Sequence, residues 1–267
     1  MSGKVVILAG GKGERLRPFT EDRPKPMIEV LGSPLLAYQL NWVRAAGFQH
    51  IIMACGYRHE VIESYFGDGS KWQVKIDYLV ETQPLGRGGA IKRALQSVDT
   101  LDGPILVLNG DMVTSLHIDG LLNFHKQHSS VATLVTVPLR SPYGIVELAD
   151  DGCVRRFSEK PILPFWINAG IYVFSPEIIE LLPDKGDHEQ LTFPGLAQND
   201  ELRAFKSSAF WRTVDTVKDV SELRAELEKL LFERDGGRAE TRTTHREAAA
   251  CSSPSAQLLD QLSALAF

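Results

Sequence analysis

The chain has 267 residues, 43% of them hydrophobic and 24% charged, enough to bury a substantial core as one large α/β domain or as one domain with an appendage. Its formal net charge of −5 argues against a nucleic-acid-binding surface, although a local basic pocket remains compatible with it. No apolar run reaches the roughly 18 residues of a membrane span, no signal sequence precedes the first strand, and Cys55, Cys153 and Cys251 are odd in number and not spaced as metal ligands, which reads as a reducing, cytoplasmic setting.

Val5 to Leu8 is an unbroken apolar run, the pattern of a strand buried on both faces, and it ends abruptly in Gly10, Gly11 and Gly13. Glycines let backbone N–H groups approach phosphate oxygens, though an ordinary glycine-rich turn has the same composition. Arg15 and Lys25 add two cations, and Pro18, Pro24 and Pro26 stiffen the segment that carries Lys25. Two familiar phosphate loops do not fit. GxxxxGK needs Ser or Thr next, but Gly11-Lys12 is followed by Gly13; GxGxxG begun at Gly11 would need glycine where Leu16 stands.

Leu35, Leu36, Leu40 and Val43 have helical spacing between Pro34 and Ala46, with Gly47 as the stop. His50 to Ala54 reads as a second buried strand, Glu60 to Phe66 as a short helix and Val74 to Val80 as a third strand. This alternation predicts a parallel sheet with helices on both faces and a ligand at the carboxyl ends of its strands. The segment VETQPLGRGGAIKRAL, from Val80 to Leu95, repeats the strand, loop and helix pattern, and its Gly86, Gly88 and Gly89 either admit a flat base or simply make a turn. Ile105 to Leu108 is a further buried strand ending in Asn109-Gly110-Asp111. A carboxylate at such a strand tip suits Mg²⁺ bridging nucleotide phosphates, because Mg²⁺ prefers oxygen ligands and takes only one or two from protein; a ligand-free turn is the alternative.

Strands dominate from about residue 131: Val131 to Val137, Tyr143 to Leu148, Val154 to Phe157 and Trp166 to Phe174. Beside their ends stand Tyr143-Gly144, Glu159-Lys160-Pro161 and Asn168-Ala169-Gly170, groups that suit sugar hydroxyls and an anomeric phosphate, or that are surface polar residues. Asp215 follows one more short apolar strand. Asp219, with Ser221 as rival, reads as the cap of a helix starting near Val220 and burying Leu223, Leu227, Leu230 and Leu231. Residues 235–257 are polar and rich in small side chains, which predicts a disordered tail. Leu258, Leu259, Leu262, Leu265 and Phe267 form a short amphipathic stripe that either docks on a partner protomer or is a terminal remnant.

Residues 4–27, KVVILAGGKGERLRPFTEDRPKPM, resemble almost residue for residue the signature LAGGxGxRLxPxTxxxPKPM of the sugar-nucleotide pyrophosphorylases, the nucleotidyltransferases that make NDP-sugars. The second glycine loop resembles their base-binding E-x-x-PLGTGGAI, with Arg87 where threonine is usual, and the YG, EKP and NAG motifs follow in the family's order. The resemblance covers roughly residues 4–232; no hexapeptide repeats follow, so the β-helical extension of some relatives is not expected here. It implies an α/β fold of the nucleotide-diphospho-sugar transferase type, a Rossmann-like mixed sheet flanked by helices with an additional β-rich sugar-binding region. The implied division is a catalytic domain over residues 1–234 and a tail over 235–267.

The implied reaction is transfer of a nucleotidyl group from an NTP to a hexose or heptose 1-phosphate, with pyrophosphate as the other product. Asp111 and Asp215 would hold Mg²⁺, and Arg15 and Lys25 would steady the triphosphate and the leaving group. Leu8, Gly10, Gly11, Gly13, Glu81, Pro84, Gly86 and Asn109 would line the nucleotide; Tyr143, Gly144, Glu159, Lys160 and Asn168 would bind the sugar phosphate. Glu81 stands where thymidylyl and uridylyl relatives place a glutamine, and an acceptor-only carboxylate suits the paired donors of guanine, so GTP is the expected nucleotide and the guanylyltransferases the nearest branch. UTP, dTTP or CTP, or a non-catalytic NDP-sugar-binding regulator, are the alternatives. A flavodoxin-like or dinucleotide-binding oxidoreductase is opposed by the failed GxGxxG pattern and by Glu159-Lys160. Neither a nucleic acid nor a membrane is an expected partner, and self-association is left open.

Overall fold

The structure is a computed structural model that describes residues 3–239. In chain order it runs β1 (Lys4–Ala9), β2 (Glu29–Val30), β3 (Ser33–Pro34), α1 (Leu35–Ala45), β4 (His50–Cys55), α2 (His59–Phe66), β5 (Lys75–Val80), α3 (Gly86–Gln96), β6 (Ile105–Asn109), β7 (Met112–Thr114) and α4 (Ile118–His128). The second half adds β8 (Ala132–Arg140), β9 (Ile145–Leu148), β10 (Val154–Ser158), β11 (Ile162–Phe174), α5 (Ile178–Leu181), α6 (His188–Leu191), α7 (Phe193–Gln198), β12 (Leu202–Lys206), β13 (Trp211–Thr213) and α8 (Val217–Ala239).

Seven strands form one mixed sheet in the order β12-β8-β11-β6-β1-β4-β5. Its centre and one wing are parallel, as the βα alternation predicts, but β11 runs antiparallel to both β6 and β8. The strand-rich second half is therefore not a separate body: β8, β11 and β12 extend the first sheet, and only β9 and β10 form a detached antiparallel hairpin. Strand β1 shows why its apolar run is unbroken. Val5 and Ile7 pack into a core with α1, α2 and α8, whereas Val6 packs on the other face with α3, α5 and α7.

Helix α8 lays Leu223 and Leu227 on the first of these cores, and Arg212 on β13 ties it down by ion pairs to Glu222 and Glu226. The helix begins three residues earlier than the sequence suggests. Its cap is Thr216, whose Oγ1 accepts from the Asp219 N–H at 3.3 Å while the Asp219 carboxylate accepts from the Thr216 N–H at 2.7 Å. This is a capping box, so Asp219 occupies the third helical position rather than the cap, and Ser221 is not the cap either. The expected domain boundary at Arg234 falls inside α8, and the apolar stripe from Leu258 to Phe267 lies outside the described residues. Among the described residues no helix is long and apolar enough to cross a membrane, and Cys55 and Cys153 are free thiols.

Candidate active site

The parallel register places the carboxyl ends of β1, β4 and β6 side by side, with Leu8 opposite Asn109 and Ala9 opposite Cys55. Above these ends lies a cavity of about 380 Å³, within the range of nucleotide-sized pockets. Its wall includes Leu8, Gly10, Gly11, Lys25, Asn109 and Asp111 from the first loop and β6, and Glu81, Pro84 and Gly86 from the β5–α3 loop. Ala54, Ala90 and Gly110 complete it with Pro26 and Arg87; small side chains and a buried proline carry no chemical signature by which sequence reading would pick them out.

Asp111 sits in the tight turn between β6 and β7, and that turn is pinned from three sides. The Gly110 N–H donates to Leu8 O at 2.9 Å, the Val214 N–H donates to Asp111 O at 3.0 Å, and the buried Gln39 amide on α1 donates to both Asn109 O and Met112 O. Antiparallel pairing of β13 with β7 then carries the chain past Thr213 so that Asp215 arrives beside Asp111. Lys25 bridges the two: its Nζ donates to Asp111 Oδ2 at 2.6 Å and to Asp215 Oδ1 at 2.9 Å, and Arg15 Nη2 adds a bond to Asp215 Oδ1 at 2.8 Å. Burial works to lower the Lys25 pKa, but the attraction of Asp111 and then Asp215 outweighs it, so the ammonium is held charged. Gly13 makes this geometry possible. It has φ 64°, and a Cβ there would lie 2.9 Å from Lys25 Cβ.

Residues from three distant segments of the chain, Arg15 and Lys25, Asp111, and Asp215, thus converge within hydrogen-bond reach. The two carboxylate oxygens already embrace one cation, and hard oxygen donors suit a divalent ion. Among the described residues there is no cluster of three or more His, Cys, Asp or Glu that could hold a metal; the paired carboxylates of Asp111 and Asp215 are the oxygen donors here that could contribute to one.

Elsewhere on the cavity wall, burial raises the Glu81 pKa against the pull of the Leu85 N–H, which donates to Oε2 at 3.4 Å, and of Arg93. Asn109 Oδ1 is buried without a partner among the described residues, a lone acceptor on the cavity wall. The β5–α3 glycines answer more than the choice between base and turn. Cβ atoms at Gly86 and Gly89 would lie 2.6 Å from Gly186 O and 2.5 Å from Asp184 O, so this loop is glycine-rich because it packs backbone to backbone against residues 184–186.

The residues expected to bind the sugar phosphate are not part of the cavity wall. Tyr143 is exposed, and Gly144 approaches Glu159 so closely that a Cβ would lie 3.1 Å from Oε2 and 2.6 Å from the Phe157 ring. Lys160, with φ 45°, turns the chain from β10 into β11, and its carbonyl accepts from Arg140 Nη1 at 3.2 Å. Asn168 lies on β11 and bonds to Tyr172 and Glu189. In the same motif Gly170 has φ 70°, and a Cβ would lie 2.4 Å from Asn109 Nδ2. Gly170→Ala is expected to cost roughly 1–3 kcal/mol, from left-handed backbone strain plus overpacking. Urea unfolding checks this; wild-type stability in the variant would show that Asn109 yields freely.

Residues 4–229 match the nucleotidyl transferase family. The chain is 35% identical over 222 residues to the catalytic subunit beta of mannose-1-phosphate guanylyltransferase from Drosophila pseudoobscura pseudoobscura, over 81% of this chain and 60% of that protein. It is 36% identical over 224 residues to mannose-1-phosphate guanyltransferase from Saccharomyces cerevisiae, over 81% of this chain and 62% of that protein. The chain thus spans about three fifths of the length of these curated relatives. The crystal structure of HddC from Yersinia pseudotuberculosis complexed with GMP-PN superposes with a TM-score of 0.66 at 28% identity, covering 84% of this chain and 99% of that one. With the motifs and the fold in agreement with these matches, the chain belongs to the nucleotidyl transferase family.

Proposed function

We propose that the chain transfers GMP from GTP to a hexose or heptose 1-phosphate, giving a GDP-sugar and pyrophosphate. The observation that carries this reading is that one cavity has the Asp111–Lys25 pair on its wall, beside Asp215 and Arg15, and Glu81 facing it from the β5–α3 loop. This supports a reading in which the first glycine loop handles phosphate and the β5–α3 loop reads the base.

The sugar phosphate oxygen forms a new bond to the α-phosphorus as the bond from that phosphorus to the pyrophosphate oxygen breaks in line. No covalent nucleophile is needed, and the chain contributes positioning and charge. Lys25 and Arg15 neutralise the triphosphate and the departing pyrophosphate, while Lys160 orients the attacking phosphate and Glu159 accepts from sugar hydroxyls. Asp111 and Asp215 would hold Mg²⁺, which when bound supplies further neutralisation of phosphate charge. The guanine preference rests on Glu81. Partly buried and served by one weak N–H bond, its carboxylate is short of donors, and guanine presents N1–H and the exocyclic amine side by side. The relatives named as guanylyltransferases, and the GMP-PN complex of HddC, agree with this preference. A cytoplasmic location suits the free cysteines. For self-association, the support is the β9–β10 hairpin, which exposes Leu148, Val154 and Phe157.

The test is a matrix of GTP, UTP, dTTP, CTP and ATP against a panel of sugar 1-phosphates, scored by pyrophosphate release for wild type and Glu81→Gln. GTP is expected to lead by at least about tenfold in kcat/KM, and Glu81→Gln to shrink that lead by a similar factor, about 1.4 kcal/mol. A pyrimidine preference in the wild type, or a ranking untouched by Glu81→Gln, removes Glu81 as the base reader. Silence throughout the matrix together with retained GDP-sugar binding would favour the non-catalytic regulator.

A further inference from the structure

Arg87 is the residue at which the second glycine loop departs from the resemblance, and no step of the proposed reaction uses it. It lies at the start of α3, on the nucleotide cavity wall. Its guanidinium is engaged by two carboxylates. Nε donates to Asp187 Oδ2 at 2.8 Å, joined there by Nη2, while Nη1 and Nη2 donate to Glu189 Oε1 and Oε2 at 2.9 and 2.7 Å. Glu189 Oε1 accepts further from the Tyr172 hydroxyl and from Asn168 Nδ2, the latter at 2.9 Å. The second Asn168 N–H goes to the Tyr172 hydroxyl at 2.9 Å, and Asn168 Oδ1 accepts from the Gly170 N–H at 3.0 Å. Every donor of the Asn168 amide is therefore used, and one of the three bonds that orient it, the one to Glu189, continues to Arg87.

We propose that Arg87 is a positioning residue that acts through Glu189 to hold the Asn168 amide in one orientation, locking the nucleotide loop to the sugar-phosphate side of the site. The physical reason lies in the fork. A planar guanidinium satisfies Glu189 bidentately and Asp187 at the same time, whereas an ammonium is a point charge that can favour only one of them. With an uncharged side chain, Asp187 and Glu189 repel each other, Glu189 gains rotamers, and Asn168 loses one of its three bonds, keeping those to Tyr172 and Gly170 and gaining freedom about them. Backbone bonds already fasten the two segments, since Gly186 N–H donates to Leu85 O at 2.7 Å and Gly88 N–H to Gly186 O at 2.8 Å. Loss of the guanidinium is therefore expected to free side chains without releasing the loop. The consequence for kinetics rests on the proposed sugar-phosphate role of Asn168; the effect on the amide itself does not.

The test compares the full chain with Arg87→Met and Arg87→Lys. In ¹H–¹⁵N spectra the Asn168 side-chain amide, assigned by its loss in Asn168→Ala, is expected to exchange with solvent about tenfold faster in Arg87→Met and at an intermediate rate in Arg87→Lys. The KM for the sugar 1-phosphate found active in the matrix is expected to rise about tenfold in Arg87→Met and less in Arg87→Lys, with the KM for GTP within about twofold of wild type. An unchanged Asn168 exchange rate, or a rise in the GTP KM alone, overturns the proposal. If the wild type releases no pyrophosphate with any pair, the proposed reaction fails while the amide spectra still decide the role of Arg87.

Discussion

Asp111→Asn and Asp215→Asn are each expected to lower turnover by at least about a hundredfold, close to 3 kcal/mol of transition-state stabilisation, while leaving the fold intact. Asparagine keeps the size of aspartate and removes the charge, so the substitution separates electrostatics from packing. At Asp111 the backbone is held by bonds that do not involve the side chain, from Gly110 N–H to Leu8 O and from Val214 N–H to Asp111 O. The turn is therefore expected to survive the change. What is lost is half of a two-carboxylate embrace whose partner, Lys25 Nζ, sits 2.6 Å from one member and 2.9 Å from the other. The loss also removes support for the Lys25 charge, because Asp111 is the strongest influence opposing burial. Pyrophosphate release at saturating Mg²⁺, read beside the circular-dichroism melting curve, is the measurement. Activity within threefold of wild type in either variant would take that residue out of the metal-binding role.

The second large effect is on stability as a function of pH and centres on His188. This first residue of α6 is fully buried among Tyr172, Phe174 and Phe193, with ring centroids 5.1, 6.1 and 5.0 Å away. Neither ring nitrogen has a hydrogen-bond partner among the described residues. Burial pushes its pKa down from 6.5 to about 4; Glu189 and Asp187 oppose the change and Arg87 reinforces it. In the unfolded chain the imidazole takes up a proton below pH 6.5, whereas in the folded chain it stays neutral until the pH approaches 4. Its contribution is thus fully present above pH 6.5 and lost as the pH falls towards 4, to an extent of roughly 3 kcal/mol. Carboxylates titrate over the same range, so the informative quantity is the difference between wild type and His188→Leu. Urea unfolding at pH 7.5 and pH 4.5 is expected to show the wild type losing roughly 2–3 kcal/mol more than the variant. Equal losses would mean that His188 gains a proton in the folded state as easily as in the unfolded one.

The position of His188 also marks a limit of sequence reading. A lone histidine in HEQLTF carries no sign that two aromatic residues of β11 and one of α7 will enclose it. Asp187 and Glu189 are equally silent as local charges, because what gives them a role is the arrival of Arg87 from a loop 100 residues away. Arg87 itself was visible as a departure from a pattern, but a departure does not name its partners.

The elements that could be read were those whose cause is local. The apolar run in β1 follows from burial on two faces, the glycine loop from a strand that must hand its ligand-binding turn to solvent, and the helical stripes of α1 and α8 from a 3.6-residue period. The first turn of α8 was misplaced because both Thr216 and Asp219 are competent caps, and only the reciprocal bonds between them decide which residue opens the helix. By itself, then, the sequence determined the βα order of the first half and the family, since each follows from short-range periodicity or from a contiguous motif. Only the tertiary structure decided that β11 runs antiparallel into the same sheet, that Lys25 stands between Asp111 and Asp215, and that Arg87 ties Asn168 to the nucleotide loop. Those facts depend on contacts between segments distant in the chain, where register and side-chain reach are set by packing that no local pattern encodes.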